Sequence, residues 1–251
     1  MTKFARMLDV LDLYSETVTL LTAEEIAARL AISRPTAFRY VGELSGAGFL
    51  ANYSGRYSLG PRLITLDYRI RASDPVLKEA RAPMRMLSAE TACTSILCRM
   101  YNHEIINVHH EAGYGDNALV FVDRGQPLPL FRGAASKIML AFMPSARLNR
   151  LYQRHPTHPD VRAIARDWPG FQVYFAAIRQ RGHYVSNEEV SAGIAGIAAP
   201  IHIPKLGAVG VVSLVLSLDR LALVNADSLA SILKTRNGEI ASRLRLLDQA
   251  Q

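Results

Sequence analysis

Apolar side chains in the first fifty residues recur with the period of an α-helix in three short segments. The segments run from Phe4 to Tyr14, from Ile26 to Leu30 and from Ala37 to Leu44, and each predicts an amphipathic helix. Residues 31–33 leave room for only a tight turn between the second and third helices. The Gly-Ala-Gly sequence at 46–48 then ends the third helix.

Polar residues at two positions predict where the second and third helices begin. Thr22 is followed three residues later by Glu25, which is the capping-box pattern. Ser33 predicts the next N-cap, and Pro35 fits the first turn of that helix because the N–H that proline lacks has no intrahelical partner there.

Two short β-type runs follow these helices. Phe49–Tyr53 and Arg56–Leu59 flank Ser54-Gly55, a turn signal that predicts a β-hairpin. Gly60-Pro61 closes the hairpin. Three helices, the last two joined by a tight turn, followed by a hairpin predict a winged helix-turn-helix.

A further helix is predicted between this unit and the rest of the chain. Arg62–Arg71 has an amphipathic pattern, and its apolar side comprises Leu63, Ile64, Leu66 and Ile70. Ser73-Asp74-Pro75 is the best domain boundary, because the residue before a proline resists helical geometry.

The remainder of the chain contains both helical and β-type segments. Helical spacing is expected at 75–92, 133–142, 145–154, 171–180 and 221–247, and β-type runs at 94–100, 105–110, 118–122, 196–203 and 209–218. Helices and strands do not alternate one by one, so we expect a mixed sheet with helices packed on it rather than a doubly wound repeat. The predicted fold class is α+β.

Composition excludes several classes of protein. The chain has 251 residues, of which 49% are hydrophobic, and this excludes general disorder. We expect no membrane-spanning helix and no signal peptide, and therefore a cytoplasmic protein. Two cysteines exclude a disulfide framework. The net charge of +7 is spread widely, since residues 1–72 carry nine basic and seven acidic side chains.

The third helix carries side chains that can contact DNA on the face opposite its apolar stripe. In a helix-turn-helix the second helix of the motif enters the major groove, where arginine pairs with guanine and threonine contacts the thymine methyl group. From Ser33 to Arg62 there are four basic residues and one acidic residue. The predicted DNA-binding residues are Ser33, Arg34, Thr36, Phe38, Arg39 and Tyr40 on the helix, with Arg56 and Tyr57 on the hairpin.

Several motifs together resemble the IclR family of bacterial transcriptional regulators. The resemblance covers nearly the whole chain in order and lies in Ala23–Ala27, Ser33–Tyr40, Gly55–Leu63, Leu128–Phe142, Arg181–Glu189 and Ile197–Ile201. It implies a winged helix-turn-helix at residues 1–61, a linker helix at 62–74, and a GAF-like effector-binding and oligomerisation domain at 75–251. Members of the family bind double-stranded operator DNA as dimers or dimer pairs and respond to small organic or aromatic acids.

The resemblance also implies where an effector would bind. The corresponding positions are Gly133, Ala134, Ser186, Ile194, Gly196, Ser213 and Val215. Free N–H groups at the start of the helix after Gly133 could receive a carboxylate, and Ser213 could add a hydroxyl donor. Gly196 stands where the family often has cysteine, which leaves more room, and Val215 replaces a frequent small polar residue.

Other chemical signals have simpler interpretations. Cys93 and Cys98 point to opposite faces of one strand, so we expect no metal site with the nearby histidines. Glu188-Glu189 is expected to fix a loop or cap a helix rather than to act in acid–base catalysis, since no nucleophile motif accompanies the pair. We expect no cofactor.

The sequence therefore predicts a ligand-responsive, DNA-binding regulator, a repressor or an activator, of a catabolic operon. Two alternatives stay open at this point. One is a ligand-independent DNA-binding or protein-interaction module, which no metabolite would stabilise saturably. The other is a small-molecule enzyme, which would turn over a candidate acid.

Overall fold

The chain divides into two compact units, the first ending at Asp74 and the second beginning at Pro75. The computed structural model describes residues 3–114, 123–204 and 206–249. The β-type run expected at 118–122 lies outside the described residues. None of the described helices combines the length and the apolar character that crossing a bilayer requires.

Within its described residues, the first unit contains four α-helices and a small antiparallel sheet. Its elements are α1 (Lys3–Leu8), a 3-10 turn (Leu11–Leu13), β1 (Leu21–Thr22), α2 (Ala23–Leu30), α3 (Arg34–Gly46), β2 (Leu50–Tyr53), β3 (Arg56–Leu59) and α4 (Arg62–Ser73). The sheet order is β1-β3-β2. The winged helix-turn-helix predicted from the sequence is confirmed.

The caps predicted for α2 and α3 are present. The Thr22 hydroxyl accepts a hydrogen bond from the Glu25 N–H at 3.2 Å, and the Glu25 carboxylate accepts one from the Thr22 N–H at 2.7 Å. Ala31 ends α2 in the left-handed conformation, with φ of 51°. The Ser33 hydroxyl then accepts from the Thr36 N–H, which starts α3 after a turn of three residues.

Strand β1 was not predicted from the sequence, and it ties the wing to the start of α2. Leu21 pairs with Tyr57 and Thr22 with Arg56. The Tyr14 hydroxyl donates to the Tyr57 carbonyl oxygen at 3.0 Å. This strand has two residues, and the second, Thr22, is also the N-cap of α2. Two residues are too few to give a period-two pattern, so the strand is defined by its pairing with β3.

Helix α4 is present, and its apolar side is only partly covered within the first unit, since Leu63 and Leu66 are half-buried. None of its residues is buried, and Ile64 is 72% exposed and Ile70 52% exposed. The sequence pattern therefore identified the helix but not its surroundings.

The second unit contains seven helices and six strands among the described residues. They are α5 (Pro75–Thr91), β4 (Thr94–Tyr101), β5 (Glu104–Glu111), β6 (Pro127–Leu128), α6 (Ala134–Ala141), α7 (Ser145–Arg154), α8 (Pro159–Ile164), α9 (Trp168–Arg181), β7 (Tyr184–Asn187), β8 (Ile194–Ile203), β9 (Gly207–Ser217), α10 (Leu218–Leu223) and α11 (Ala226–Gln249).

The six described strands form one sheet in the order β6-β5-β4-β9-β8-β7, and every described pair is antiparallel. The expected mixed sheet is therefore wrong for these strands. Hairpins join β4 to β5 and β8 to β9, and the long segment containing α6 to α9 runs from one edge strand to the other. This segment starts at β6 and ends at β7 on the opposite edge of the sheet. It does not return beside β6, so the described strands contain no parallel pair.

Helices cover both faces of this sheet. Leu97, Leu214 and Ile197 point to the face that packs against α5 and α11. Cys98, Val211 and Ala198 point to the opposite face, which packs against α6 to α9. The core therefore has two halves, one on each side of the sheet.

The single long helix expected at 221–247 is two helices. The side-chain oxygen of Asn225 accepts from the Ser228 N–H at 2.9 Å, and the Leu229 N–H donates to the Asn225 carbonyl. Asn225 thus starts α11 after α10 has ended.

Candidate functional site

A cavity of about 90 Å³ lies in the second unit, between the start of α6, the loop at 188–193 and the strands β4, β8 and β9. Its wall is mainly apolar, and a few hydroxyl groups and one arginine interrupt it. All seven residues implied by the family resemblance line this one cavity, although they are far apart in the chain: Gly133, Ala134, Ser186, Ile194, Gly196, Ser213 and Val215.

Gly196 lines the cavity from β8. A Cβ atom there would lie 3.0 Å from the Ser186 Oγ, 3.4 Å from the Ala134 Cβ and 3.7 Å from the Ser213 Oγ. The strand register explains this convergence, because Gly196 is paired with Ser186 on one side and Val215 on the other. The missing side chain is part of the space available to a ligand.

Gly133 precedes α6 in a conformation that only glycine adopts readily, with φ of 85° and ψ of 155°. A Cβ atom at this position would lie 2.7 Å from the Cγ2 of Val190. The loop at 188–193 therefore lies directly over the start of α6, and Val190 covers the cavity there.

A carboxylate of the protein itself binds the start of α6. The Gly133 N–H donates to the Glu189 Oε2 at 2.8 Å, so this N–H is already occupied. The first intrahelical bond runs from the Lys137 N–H to the Gly133 carbonyl at 3.1 Å. The N–H groups of residues 134–136 come before it, in the turn that has no intrahelical acceptor.

Lys137 holds Glu189 in this position. Its ammonium group is 2.8 Å from the Glu189 carboxylate and donates to the Tyr184 hydroxyl at 2.9 Å. The Tyr184 hydroxyl donates to Glu189 at 2.8 Å and accepts from Tyr174 at 3.2 Å. Lys137 is 7% exposed, so these contacts compensate a charge that is almost withdrawn from water.

The network shifts the pKa values of both charged groups. Burial opposes ionisation of Glu189, but hydrogen bonds from Lys137, the Gly133 N–H and Tyr184 outweigh burial and lower its pKa. Burial likewise opposes the charge on Lys137, and the hydrogen bonds to Glu189 and Tyr184 raise its pKa above the ordinary value. Both groups are charged over the physiological range of pH.

Glu188-Glu189 was expected to fix a loop or cap a helix, and the hydrogen bonds confirm this expectation. Glu188 accepts from the Gly193 N–H at 2.7 Å within the loop, while Glu189 binds the start of α6. The role of Lys137 was missed. A single lysine inside the apolar helical run Ala134–Ala141 was the available signal, because such a residue needs a buried partner.

Arg132 was also missed as a residue of the cavity wall. It is the one charged residue among those that line the cavity in the described part of the chain. Its Nε lies 3.1 Å from the Asp160 carboxylate, and its side chain is 52% exposed. Asp160 already pairs with this cation, and the exposed part of the guanidinium can still donate to an anionic group of a ligand.

The cysteines and histidines are not brought together. Cys93 and Cys98 are both buried, and they lie in the core halves on opposite sides of the sheet. Only Cys98 lines the cavity, and burial raises the pKa of its thiol to about 12. Within the described residues, no three His, Cys, Asp or Glu side chains are placed to share a metal ion.

Most of the predicted DNA-facing residues of α3 lie on one accessible face. Arg34, Phe38 and Arg39 are exposed, Thr36 is partly buried, and Ser33 is exposed at the helix start. Phe38 is 51% exposed, which is unusual for a phenylalanine without a partner.

Tyr40 is the exception, and its predicted place on this face is wrong. Its side chain is 4% exposed and packs with Ala37, Val41 and Leu44. The position follows Ala37 by three residues, so on a helix it lies beside that residue and not opposite it. The Arg39 guanidinium lies 5.5 Å from the centre of the Tyr40 ring.

On the wing, Arg56 and Tyr57 differ in their exposure. Arg56 is exposed and donates a long hydrogen bond to the Leu20 carbonyl at 3.4 Å, with the Glu25 carboxylate 4.0 Å away. Tyr57 is partly buried and packs on the core of the first unit. The ring of Tyr57 thus supports the wing.

A winged helix-turn-helix with an exposed basic recognition helix, together with a unit that encloses a small apolar cavity, defines the class of DNA-binding transcriptional regulators. Two family models match the chain. The IclR helix-turn-helix domain matches residues 4–52, and the bacterial transcriptional regulator IclR C-terminal domain matches residues 70–242. The chain belongs to the IclR family, whose members regulate transcription and are not enzymes.

Relatives of known name support this assignment. HTH-type transcriptional regulator XynR of Escherichia coli is 25% identical over 78% of either chain. The glycerol operon regulatory protein of Streptomyces coelicolor is 29% identical over 78% of this chain and 77% of its own. The crystal structure of an IclR homologue from Microbacterium hydrocarbonoxydans, complexed with 4-hydroxybenzoate, has the same fold, with a TM-score of 0.75, 21% identity and coverage of 98% of this chain and 100% of that chain.

Proposed function

We propose that this protein is a transcriptional regulator of a catabolic operon and that a small organic acid in the cavity controls its affinity for operator DNA. The observation that carries the proposal is the convergence of seven residues, from α6, β7, β8 and β9, on one cavity. The relatives named above include a regulator of a glycerol operon, which supports a catabolic target.

The wall of the cavity matches an acid better than a neutral or cationic ligand. The first-turn N–H groups of α6 and the Arg132 guanidinium can both stabilise a carboxylate. The Ser213 and Ser186 hydroxyls can bind a polar group at the other end of the ligand. The neighbouring fold that carries 4-hydroxybenzoate contains a ligand of this kind.

The volume of the cavity limits the ligand. About 90 Å³ is less than the roughly 150 Å³ of an apolar cavity that holds benzene, so an acid of a few carbon atoms fits without rearrangement. An aromatic acid requires Val190 to move away from Gly133. Val190 is about half exposed, so this movement disrupts little packing.

We assign the DNA-binding role to residues 1–61, the linker to 62–74, and the effector-binding and oligomerisation role to 75–251. In the DNA-binding unit, α3 lies in the major groove and presents Arg34, Thr36, Phe38 and Arg39, and Ser33 and Arg56 contact phosphates. Binding as a homodimer or a pair of dimers places two such helices in successive turns of the groove.

Titration of the protein onto the intergenic DNA upstream of its own gene tests the proposal, with a panel of short-chain and aromatic acids added. We expect at least one acid to change DNA affinity and to raise the melting temperature saturably. Gly196→Ala, which places a methyl group in the cavity, should remove both effects and leave DNA binding without ligand intact. A protein that binds this DNA no more tightly than random DNA would overturn the proposal.

The ligand-independent alternative makes a different prediction for the same experiment. It expects tight DNA binding that no acid changes and that Gly196→Ala does not affect.

A further inference from the structure

We propose that the second unit has another ligand site, separate from the cavity above, for a small molecule that carries two or more negative charges beside an apolar body. Two adjoining hollows form it, of about 560 and 80 Å³, and they share Met100, Met143 and Arg147. We call them together the basic hollow.

The basic hollow is built by strands β4, β8 and β9, by helices α6 and α7, and by the β4–β5 turn. Arg99 and Met100 come from β4, Met139 and Phe142 from the end of α6, and Arg147, Arg150 and Arg154 from α7. His103 and His202 complete it from the β4–β5 turn and β8. Several distant segments thus converge, as they do around the cavity lined by Gly133, Gly196 and Ser213, which we call the proposed effector cavity.

The cations on α7 form a row. Arg147, Arg150 and Arg154 are spaced by three and four residues, so neighbouring side chains lie on one face of the helix. Leu148 and Leu151 lie beside the row and are buried, and Leu151 also lines the smaller hollow. With a rise of about 1.5 Å per residue the row spans roughly 10 Å, which is longer than one carboxylate needs.

Neutral acceptors position two of these arginines without compensating their charge. The Arg147 guanidinium donates to the Asn102 carbonyl oxygen at 2.7 Å. Arg154 donates to the His103 Nε2 at 2.6 Å. Among the described residues that line the basic hollow none is acidic. Positive charge concentrated in this way attracts anions.

The floor of the basic hollow is apolar. Met100, Met139, Phe142 and Met143 line it, and the Phe142 ring contacts the His202 ring at 5.8 Å between centroids. Methionine side chains adapt to ligands of different shape. A volume of about 560 Å³ is within the range of roughly 300–1,000 Å³ for small-molecule sites.

Floor and wall together define the class of ligand. A purely ionic partner, such as the DNA backbone, would use the row of arginines and leave the floor uncovered. A ligand with an apolar body and a phosphate, or with two carboxylates, contacts both the apolar floor and the row of arginines. Helix α6 begins at the effector cavity and ends at the basic hollow, so both ligands would contact the same helix.

Isothermal titration of the full-length protein with 1-naphthyl phosphate tests the proposal. This probe has a flat apolar body and a dianionic phosphate. Two control ligands each represent one half of it: 1-naphthol has the apolar body alone, and inorganic phosphate has the anionic group alone. We expect saturable binding of the complete probe and at least about tenfold weaker binding of either half. Arg147→Gln/Arg150→Gln should weaken binding of the probe at least about tenfold.

Two controls locate the site. Arg166→Gln removes an exposed arginine elsewhere on the second unit and should leave the affinity unchanged. Gly196→Ala fills the effector cavity and should also leave it unchanged. Circular dichroism of each variant checks that it is folded.

Three results would overturn the proposal. They are the absence of saturable binding in the millimolar range, equal binding of the probe to wild type and the Arg147→Gln/Arg150→Gln variant, and loss of binding in Gly196→Ala. A double variant that instead loses affinity for random duplex DNA, with no change for the probe, would assign the arginine row to nucleic acid.

Discussion

The ammonium nitrogen of Lys137 lies 2.8 Å from the carboxylate of Glu189, and this ion pair joins α6 to the loop that covers the proposed effector cavity. Glu189 also accepts from the Gly133 N–H at the start of the same helix. The pair therefore fixes the loop at 188–193 on the residues that line the cavity. Its loss should affect both stability and ligand binding.

Lys137→Met should destabilise the second unit by about 3 kcal/mol, because the variant leaves the Glu189 carboxylate with no cationic partner in a largely buried position. Urea denaturation measures the free energy of unfolding. Adding Glu189→Gln should recover part of the loss, since the uncompensated charge is then removed. Lys78→Met, at an exposed position on α5, is the control and should change stability by less than about 0.5 kcal/mol.

The same pair predicts how stability depends on pH. The pKa of Glu189 is lowered from 4.5 on folding, so its contribution is present above that value and is lost as the pH falls through the folded pKa. The pKa of Lys137 is raised from 10.5, so its contribution is present below that value and is lost in stronger base. The stability difference between wild type and Lys137→Met/Glu189→Gln should be level between these values and shrink in acid. A difference that grows as acid is added would contradict the assignment.

Elements with strong local signals were predictable from the sequence. The capping box at Thr22 and Glu25, and the cap at Ser33, depend on residues within one turn of each helix. The start of α11 at Asn225 was missed although the cap is local, because Leu221 and Leu223 continue the apolar pattern into it. A periodic pattern alone does not reveal a break between two helices.

The cavity was predictable only in part. Resemblance to a family placed seven residues around it, but Arg132, Val190 and the Lys137–Glu189 pair depend on which segments meet in three dimensions. The prediction for Tyr40 is wrong because its helical position beside Ala37 buries the ring in the core of the first unit, although its end is polar. Burial of an amphipathic side chain is decided by its neighbours.

Arg39→Ala should weaken binding of the upstream intergenic DNA by about 1–3 kcal/mol if the guanidinium pairs with a base edge. The exposed position of Arg39 on α3 allows this contact. A gel-shift titration at fixed salt, with random duplex DNA run alongside, measures the effect. We expect the loss on the specific DNA alone. Equal losses on both would assign Arg39 to phosphate contact, and Arg166→Ala provides a matched removal of one charge from the second unit.

Gly133→Ala should destabilise the second unit for two separable reasons. The positive φ of 85° strains any other residue, and the new methyl group would lie 2.7 Å from the Cγ2 of Val190. Gly125→Ala is the matched control, because Gly125 has φ of 90° and nothing within 4 Å of an added Cβ. We expect it to cost about 1–3 kcal/mol from strain alone.

Gly133→Ala should lower the free energy of unfolding more than Gly125→Ala does, and the difference measures the contact of the added methyl group with Val190. Val190→Ala in the Gly133→Ala background should remove most of that excess, since the shorter side chain no longer reaches the added methyl group. Thermal or urea unfolding of wild type, Gly133→Ala, Val190→Ala and the double variant gives the coupling free energy between the two positions. Zero coupling would mean that the loop at 188–193 does not lie over the start of α6 in solution, and the proposed role of Val190 as a cover for the cavity would then be wrong.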